Sequence, residues 1–233
     1  TDLAGKKVTP KEYEITWDAK AAERGGFEHF MLKEIYEQPK AVADTLLGRF
    51  PTPTTIELKE LENLSGNFER ILILACGTAH HAGLIGKYAL EEWAKIPVEV
   101  ELASEFRYRN PVISERTLVV TISQSGETMD TLMALRHAKS LGAETLSICN
   151  TMGSTIPRES DSVLYTHAGP EIAVASTKAL LTQVIALDLL ALYLATKRNS
   201  ITSNRIRELI DALLQLPNKI EEILETVEPL RAM

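Results

Sequence analysis

The sequence predicts an α/β protein: a three-layer αβα sandwich around a five-stranded, parallel, doubly wound sheet, with extra N- and C-terminal helices. Three observations predict it. Between Arg70 and Lys197, short runs that are apolar throughout alternate with longer stretches of helical period. A strand without polar alternation is buried on both faces, which is the condition of a parallel strand covered by crossover helices. The chain has 233 residues, 45% of them apolar, enough for one sizeable core with appendages.

Taken in order, residues 1–27 are polar and mixed, with Lys6-Lys7, Pro10 and Gly25-Gly26, and read as a linker from an upstream domain. Residues 28–66 form an N-terminal helical segment. Phe30, Met31, Ile35 and Tyr36 precede a break at Pro39, and Val42, Leu46 and Leu47 resume the pattern up to Gly48, which predicts a kinked or double helix. Arg49 to Gly66, with two prolines, reads as a loop holding one short helix.

Residues 67–200 carry the alternating pattern. Strands are expected at Ile71–Ala75, Val98–Leu102, Thr117–Ile122, Thr145–Cys149 and Ser162–Thr166. Helices are expected at Thr78–Lys95, Glu127–Leu141 and Val174–Lys197, with a loop around Gly153 and Pro157. The last helix is apolar nearly all round, and Lys178, Gln183 and Asp188 interrupt it before any uncharged run reaches the ~18 residues a membrane span needs, so it reads as deeply buried. Residues 201–233 read as an amphipathic helical tail divided by Pro217 and leading to a further domain. The chain opens on Thr1, and its apolar pattern is still running at Met233. Both features lead us to expect a segment of a longer protein.

Composition narrows the functions. A formal charge of −7 argues against a nucleic-acid partner, which needs a basic face, but not against a single phosphate held in a local cradle. The two cysteines, Cys76 and Cys149, have no metal-ligand spacing and are expected to be small, reduced core residues. No metal, cofactor or membrane contact is expected, and the absence of a secretory apolar region points to the cytoplasm.

The segment Thr121-Ile122-Ser123-Gln124-Ser125-Gly126-Glu127-Thr128 joins a predicted strand to a predicted helix. A helix N-terminus presents unpaired N–H groups and a partial positive charge, and hydroxyls around it make an anion cradle. The loop has no lysine and no GxxxxGK[ST], which favours a small phosphorylated metabolite over a nucleotide. In a doubly wound sheet ligands sit outside the carboxyl ends of the strands. Two further loops belong at that edge: Cys76-Gly77-Thr78-Ala79, and Gly169-Pro170-Glu171 continuing to Val174-Ala175-Ser176-Thr177-Lys178. Each also has a plain reading as a tight turn or helix cap, and Lys178 as a solvated lysine. Glu127, in a first helical turn, has an electrostatic explanation. The histidines are scattered, and His80-His81 reads as surface or packing. Ser123 and Ser125 lack an activating base, so nucleophilic catalysis is not supported.

Ser-Gln-Ser-Gly-Glu-Thr after a strand, with Cys-Gly-Thr upstream and Val-Ala-Ser-Thr-Lys downstream, resembles the sugar isomerase (SIS) domain. More closely, the chain is similar to the glutamine–fructose-6-phosphate aminotransferase family, also called glucosamine-6-phosphate synthases. That likeness extends to Phe30–Pro39, Ile73–Thr78 and Ala103–Arg109, of which the first and last are specific to that family. The resemblance implies the first of two SIS domains in an enzyme that makes glucosamine 6-phosphate from fructose 6-phosphate and glutamine. The partners it implies are fructose 6-phosphate, glucose 6-phosphate or glucosamine 6-phosphate, a glutaminase domain and second SIS domain of the same chain, and a second copy in a homodimer. It implies that Ser123, Gln124, Ser125 and Thr128 bind phosphate, that Thr78 contacts the sugar phosphate, and that Val174 and Ser176 contact the sugar. The family commonly has serine where this chain has Ala79. The family's catalytic groups lie outside this segment, so binding without turnover is expected. Two other readings, a phosphosugar sensor in a regulator and a standalone phosphosugar isomerase, would need a basic helix-turn-helix and a complete catalytic set respectively.

Overall fold

The computed structural model describes residues 5–7 and 23–227. Most of the predicted 1–27 linker and residues 228–233 of the predicted tail therefore lie outside the described residues. The chain opens with two short helices, α1 (Phe30–Tyr36) and α2 (Gln38–Leu46), broken as Pro39 predicts, followed by a 3-10 turn at Lys59–Leu61. Then come β1 (Arg70–Ala75), α3 (Gly77–Ala89, ending in a wider turn over Leu90–Ala94), β2 (Val98–Leu102) and a four-residue helix α4 (Ala103–Phe106). The order continues with β3 (Thr117–Ser123), α5 (Met129–Ser140), β4 (Glu144–Cys149), α6 (Thr155–Glu159), β5 (Ser162–Tyr165), α7 (Lys178–Arg198) and α8 (Ser203–Glu225).

The five strands pair in parallel in the order β2-β1-β3-β4-β5, as the apolar runs predict. Successive side chains alternate between two cores. Ile71, Ile73, Val120, Ile122 and Ile148 face the layer of α2, α3, α7 and α8, while Leu72, Leu74 and Val119 face Ala103, Phe106, Ala134 and Ala138 of α4 and α5. Burial on both faces explains why no polar alternation marks these strands. Because β1 and β3 are neighbours, the chain leaves one for β2 on its left and the other for β4 on its right. That reversal opens a crevice at the carboxyl ends of β1 and β3.

The differences from expectation are local. α5 begins at Met129, two residues after Glu127, because Glu127 turns its carboxylate to another helix. α7 begins at Lys178, not Val174, which is fully exposed in the preceding loop. α4 and α6 were not expected, since four- and five-residue helices carry too few turns to show a period. Pro217 does not divide the tail: it lies inside α8, whose buried residues Ile206, Leu209, Ile210 and Leu213 all precede it and anchor the helix. Proline's fixed φ suits a helix, and the cost is a lost N–H bond on a largely exposed stretch. Leu47 is exposed, not part of the helical face.

Helix α7 is long and apolar enough, by length and composition, to cross a membrane, but most of it is buried inside the structure. Close approach to α3 is possible because position 86 is glycine: a Cβ there would lie 2.5 Å from Leu187 Cδ1. One half-buried acid, Asp188, lies on this helix. Burial pushes the Asp188 carboxyl up to about 7, and it has no hydrogen-bond or ion-pair partner among the described residues. The folded state thus holds this proton more tightly than the unfolded chain, whose carboxyl titrates near ~3.9. The contribution is most favourable below that value and is lost as pH rises toward 7. Asp188→Asn is therefore expected to be more stable than the parent at pH 8, by on the order of 2–4 kcal/mol. The advantage should shrink toward pH 4, as read by thermal unfolding of both proteins across that range.

Candidate functional site

A cavity of about 220 Å³ occupies the crevice between β1 and β3. All seven residues singled out from the sequence line it: Thr78, Ser123, Gln124, Ser125, Thr128, Val174 and Ser176. Cys76, Ala79, Ile122, Glu171, Ala173 and Gln183 complete the wall.

The loop after β3 is organised by its own hydroxyls. Gly126 N donates to Ser123 Oγ (3.0 Å), Ser123 Oγ and Thr128 Oγ1 share a hydrogen bond (3.0 Å), and Glu127 N donates to Ser125 Oγ (3.2 Å). Ser123 is nearly inaccessible, so its hydroxyl shapes the loop, whereas Gln124, Ser125 and Thr128 are half-buried and face the opening. No side chain caps the first turn of α5 or of α3. The plain capping reading of Thr78 therefore fails: it sits one residue inside α3 with its side chain on the cavity wall.

The loop is pinned from behind. Asn150 N and Thr151 N donate to Gln124 O (3.2 and 3.3 Å), and Ile156 N donates to Gly126 O (2.9 Å). Glu127 Oε1 accepts from Thr155 N (2.7 Å) and Thr155 Oγ1 (3.0 Å), and so caps α6 rather than opening α5. Gly126 has φ +66°, and a Cβ there would lie 2.0 Å from Ser154 Oγ and 2.8 Å from Ser154 Cβ. Glycine is required on both counts.

The third loop behaves differently. Glu171 Oε1 accepts from Thr177 N (2.9 Å) and Ala179 N (3.1 Å), and Ser176 Oγ donates to Glu171 Oε2 (3.1 Å). The N-terminus of α7 is thus already occupied by a carboxylate. Of the three helix mouths that border the cavity, those of α3 and α5 have no side chain on their first turn. Lys178 is not the solvated lysine expected from sequence. It is buried, 2.6 Å from Glu37 Oε2, and Glu37 Oε1 lies 3.2 Å from Lys33 Nζ. Glu34, also buried, accepts from Ile172 N (2.6 Å) and Ala173 N (3.1 Å). Three residues of the Phe30–Pro39 motif, Lys33, Glu34 and Glu37, therefore brace the loop that carries Val174 and Ser176.

The thiols separate. Burial pushes Cys149 up to about 12, which makes it an inert core residue as expected, whereas Cys76 is half-buried and lines the cavity. His80 and His81 do not line it, and no metal-ligating cluster occurs among the described residues. Sequence reasoning placed Glu171 in a loop at this edge without its capping role, and missed Gln183 as a wall residue. The available signal for Gln183 was a polar Thr182-Gln183 pair inside an otherwise apolar helix, a position where burial demands a partner.

The family model for the SIS domain matches residues 67–193, and the chain belongs to that family. It is 56% identical over 236 residues to glutamine–fructose-6-phosphate aminotransferase (isomerizing) of Streptomyces coelicolor, covering 100% of this chain and 38% of the relative. The enzyme of that name from Corynebacterium diphtheriae is 54% identical over 231 residues, with 98% and 37% covered. Among solved structures, the C-terminal domain of glucosamine-fructose-6-phosphate aminotransferase from Francisella tularensis superposes with a TM-score of 0.80 at 44% identity, over 84% of this chain and 56% of that one. The chain thus spans well under half the length of the curated relatives it matches.

Gly126→Ala is expected to cost at least about 1–2 kcal/mol from its backbone conformation alone, before the displacement of Ser154. Thermal unfolding should show the loss, and amide exchange should rise at Asn150, Thr151 and Ile156. A variant as stable and as protected as the parent would contradict the pinned loop.

Proposed function

We propose that this chain is the phosphosugar-binding part of an enzyme that forms glucosamine 6-phosphate from fructose 6-phosphate and glutamine. The observation that carries the reading is the loop Ser123–Thr128, held rigid from behind with its half-buried hydroxyls turned to the mouth of an uncapped helix. In this reading the phosphate lies against Ser125, Thr128 and the amides of the loop, beside Gln124, with Ser123 fixing the geometry. Thr78 approaches from the mouth of α3, and Val174 and Ser176 meet the sugar. Glu171, seated on the N-terminus of α7, directs the dianion away from that helix, since like charges repel. Hydrogen bonds to a charged acceptor are the stronger kind, so a neutral cradle suffices.

The names of the relatives support the substrate assignment: glutamine and fructose 6-phosphate are what those aminotransferases act on. The matched share of those relatives, 38% and 37%, supports a division of labour. Here the chain supplies the binding half and relies on a glutaminase domain and a second SIS domain for turnover. A cavity smaller than the ~300–1,000 Å³ of most ligand sites fits a site completed by another part of the assembly. In the same reading residues 67–200 are the first SIS domain, 28–66 brace it, and 201–227 lead onward. In the same reading the assembly is a homodimer, and its place is the cytoplasm.

Ser125→Ala and Thr128→Ala are each expected to weaken binding of glucose 6-phosphate by about 1.5–3 kcal/mol. Calorimetric titration of the 233-residue chain checks this, and glucose without its phosphate should bind far more weakly. Unchanged affinity in both variants would remove the basis of the proposal.

A further inference from the structure

A second cavity, of about 460 Å³, lies at the amino-terminal edge of the sheet, roughly 20 Å along β1 from the first. Lys95, which precedes β2, and Lys197 and Arg198, which end α7, line it together with Ser65, Asn67 and Ser200. No residue of its wall is acidic, in a chain whose formal charge is −7. Most of the described lysines and arginines pair with a carboxylate. These three do not. Lys95 has no hydrogen-bond or ion-pair partner among the described residues, Lys197 Nζ lies 5.4 Å from the centroid of the Tyr193 ring, and Arg198 Nη1 donates to Phe68 O (3.2 Å). Glu144 reaches the rim but is held by Ser65 N and Oγ (3.0 and 2.6 Å), and Glu69 is paired with Arg116, which donates to Asn67 Oδ1 (3.3 Å).

A cation at the carboxyl end of a helix answers the helix dipole, and Lys197 and Arg198 have that ordinary role. The dipole does not account for the choice of residue at Lys95. It closes the turn after α3 with φ +56°, a left-handed position where glycine or asparagine is the low-strain choice. A lysine there adds positive charge where two cations already stand without an acid. Like charges around one concavity repel, and low-dielectric walls concentrate their field. That repulsion burdens the free protein, and a bound anion relieves it. The wall is fixed in advance: Tyr193 Oη donates to Leu61 O (3.0 Å), and Ser200 Oγ donates to Trp93 O, two residues before Lys95.

We propose that this cavity binds a small, multiply charged oxyanion, a diphosphate or a polycarboxylate, between Lys95 and the end of α7. The site does not depend on the phosphosugar reading above. It is tested by calorimetric titration of the 233-residue chain with inorganic pyrophosphate and, separately, with citrate, which tells the two sources of charge apart. The cavity variants are Lys95→Gly and Lys197→Gln; Arg198 is left intact because it also holds Phe68 O. The controls are Ser125→Ala, in the first cavity, and Lys219→Gln, an exposed lysine of α8 outside this wall. At least one of the two anions should bind the parent. Each cavity variant should weaken that binding by roughly 3- to 10-fold, and both controls should leave it unchanged. The ligand-free unfolding midpoint of Lys95→Gly should be equal to or above the parent's, because glycine suits the left-handed backbone. A parent that binds neither anion would overturn the proposal, and so would equal affinity in the parent and both cavity variants. A matching loss in Lys219→Gln would reduce the effect to net charge, a loss in Ser125→Ala would move the anion to the first cavity, and a lowered midpoint in Lys95→Gly would make that lysine structural. Each of these results also overturns it.

Discussion

Everything at this site follows from β1 and β3 being neighbours while their chains depart in opposite directions. A sheet of parallel strands has its helix N-termini at one edge, and at most positions the next loop covers them. At the reversal point no loop can cross, so the mouths of α3 and α5 stay open side by side. The backbone there must satisfy its N–H groups in some way. At Gly126 and Glu127 the loop does so with its own serines. In the first turns of α3 and α5 no side chain intervenes. A crevice formed by topology is thereby given its chemistry by three short segments far apart in sequence.

Charge decides which mouth takes which part of a ligand. The three helices that border the cavity offer the same partial positive charge, and the sequence alone treats them alike. The structure does not. Glu171 neutralises α7, and Lys178, the only cation in the three loops, is buried against Glu37. The remaining cradle presents amides and hydroxyls to the cavity, with the Glu127 carboxylate turned behind it to Thr155 and Glu171 on the far wall. A polar ligand with a charged end and an uncharged end would be oriented by this asymmetry before any specific sugar contact is made.

The strands were legible because each is buried on both faces, so composition and position coincide. The three loops at the cavity were legible because they follow strand ends, and the family resemblance then singled out seven of the wall residues within them. What was not legible had long-range causes. Glu127 reads as a first-turn acid until Thr155, distant in sequence, supplies the amide it caps. Lys178 reads as solvated until Glu37 appears beside it, and Val174 reads as helical because an apolar residue joins the helix pattern whether or not the backbone does. α6 contains Pro157 and follows Gly153, and five residues cannot overcome that local signal. Pro217 failed as a helix breaker for the opposite reason: α8 is long, and its docking is complete before the proline is reached.

The Phe30–Pro39 segment shows how a specific motif can act without touching the cavity. Its residues form α1 and open α2, and its charged positions reach the loop before α7. Glu34 takes the N–H groups of Ile172 and Ala173, and Glu37 bridges Lys33 and Lys178. Buried charges of this kind add little net stability, because desolvation offsets their attraction. Their effect is geometric: a carboxylate that accepts two adjacent amides admits few conformations of that loop. Val174 and Ser176 project from the loop so fixed, and α7 begins immediately after it with Gln183 a turn and a half further on. The shape of the sugar side of the cavity is thus set from residues some 140 positions earlier in the chain, by hydrogen bonds to backbone that no side-chain motif at the cavity itself encodes.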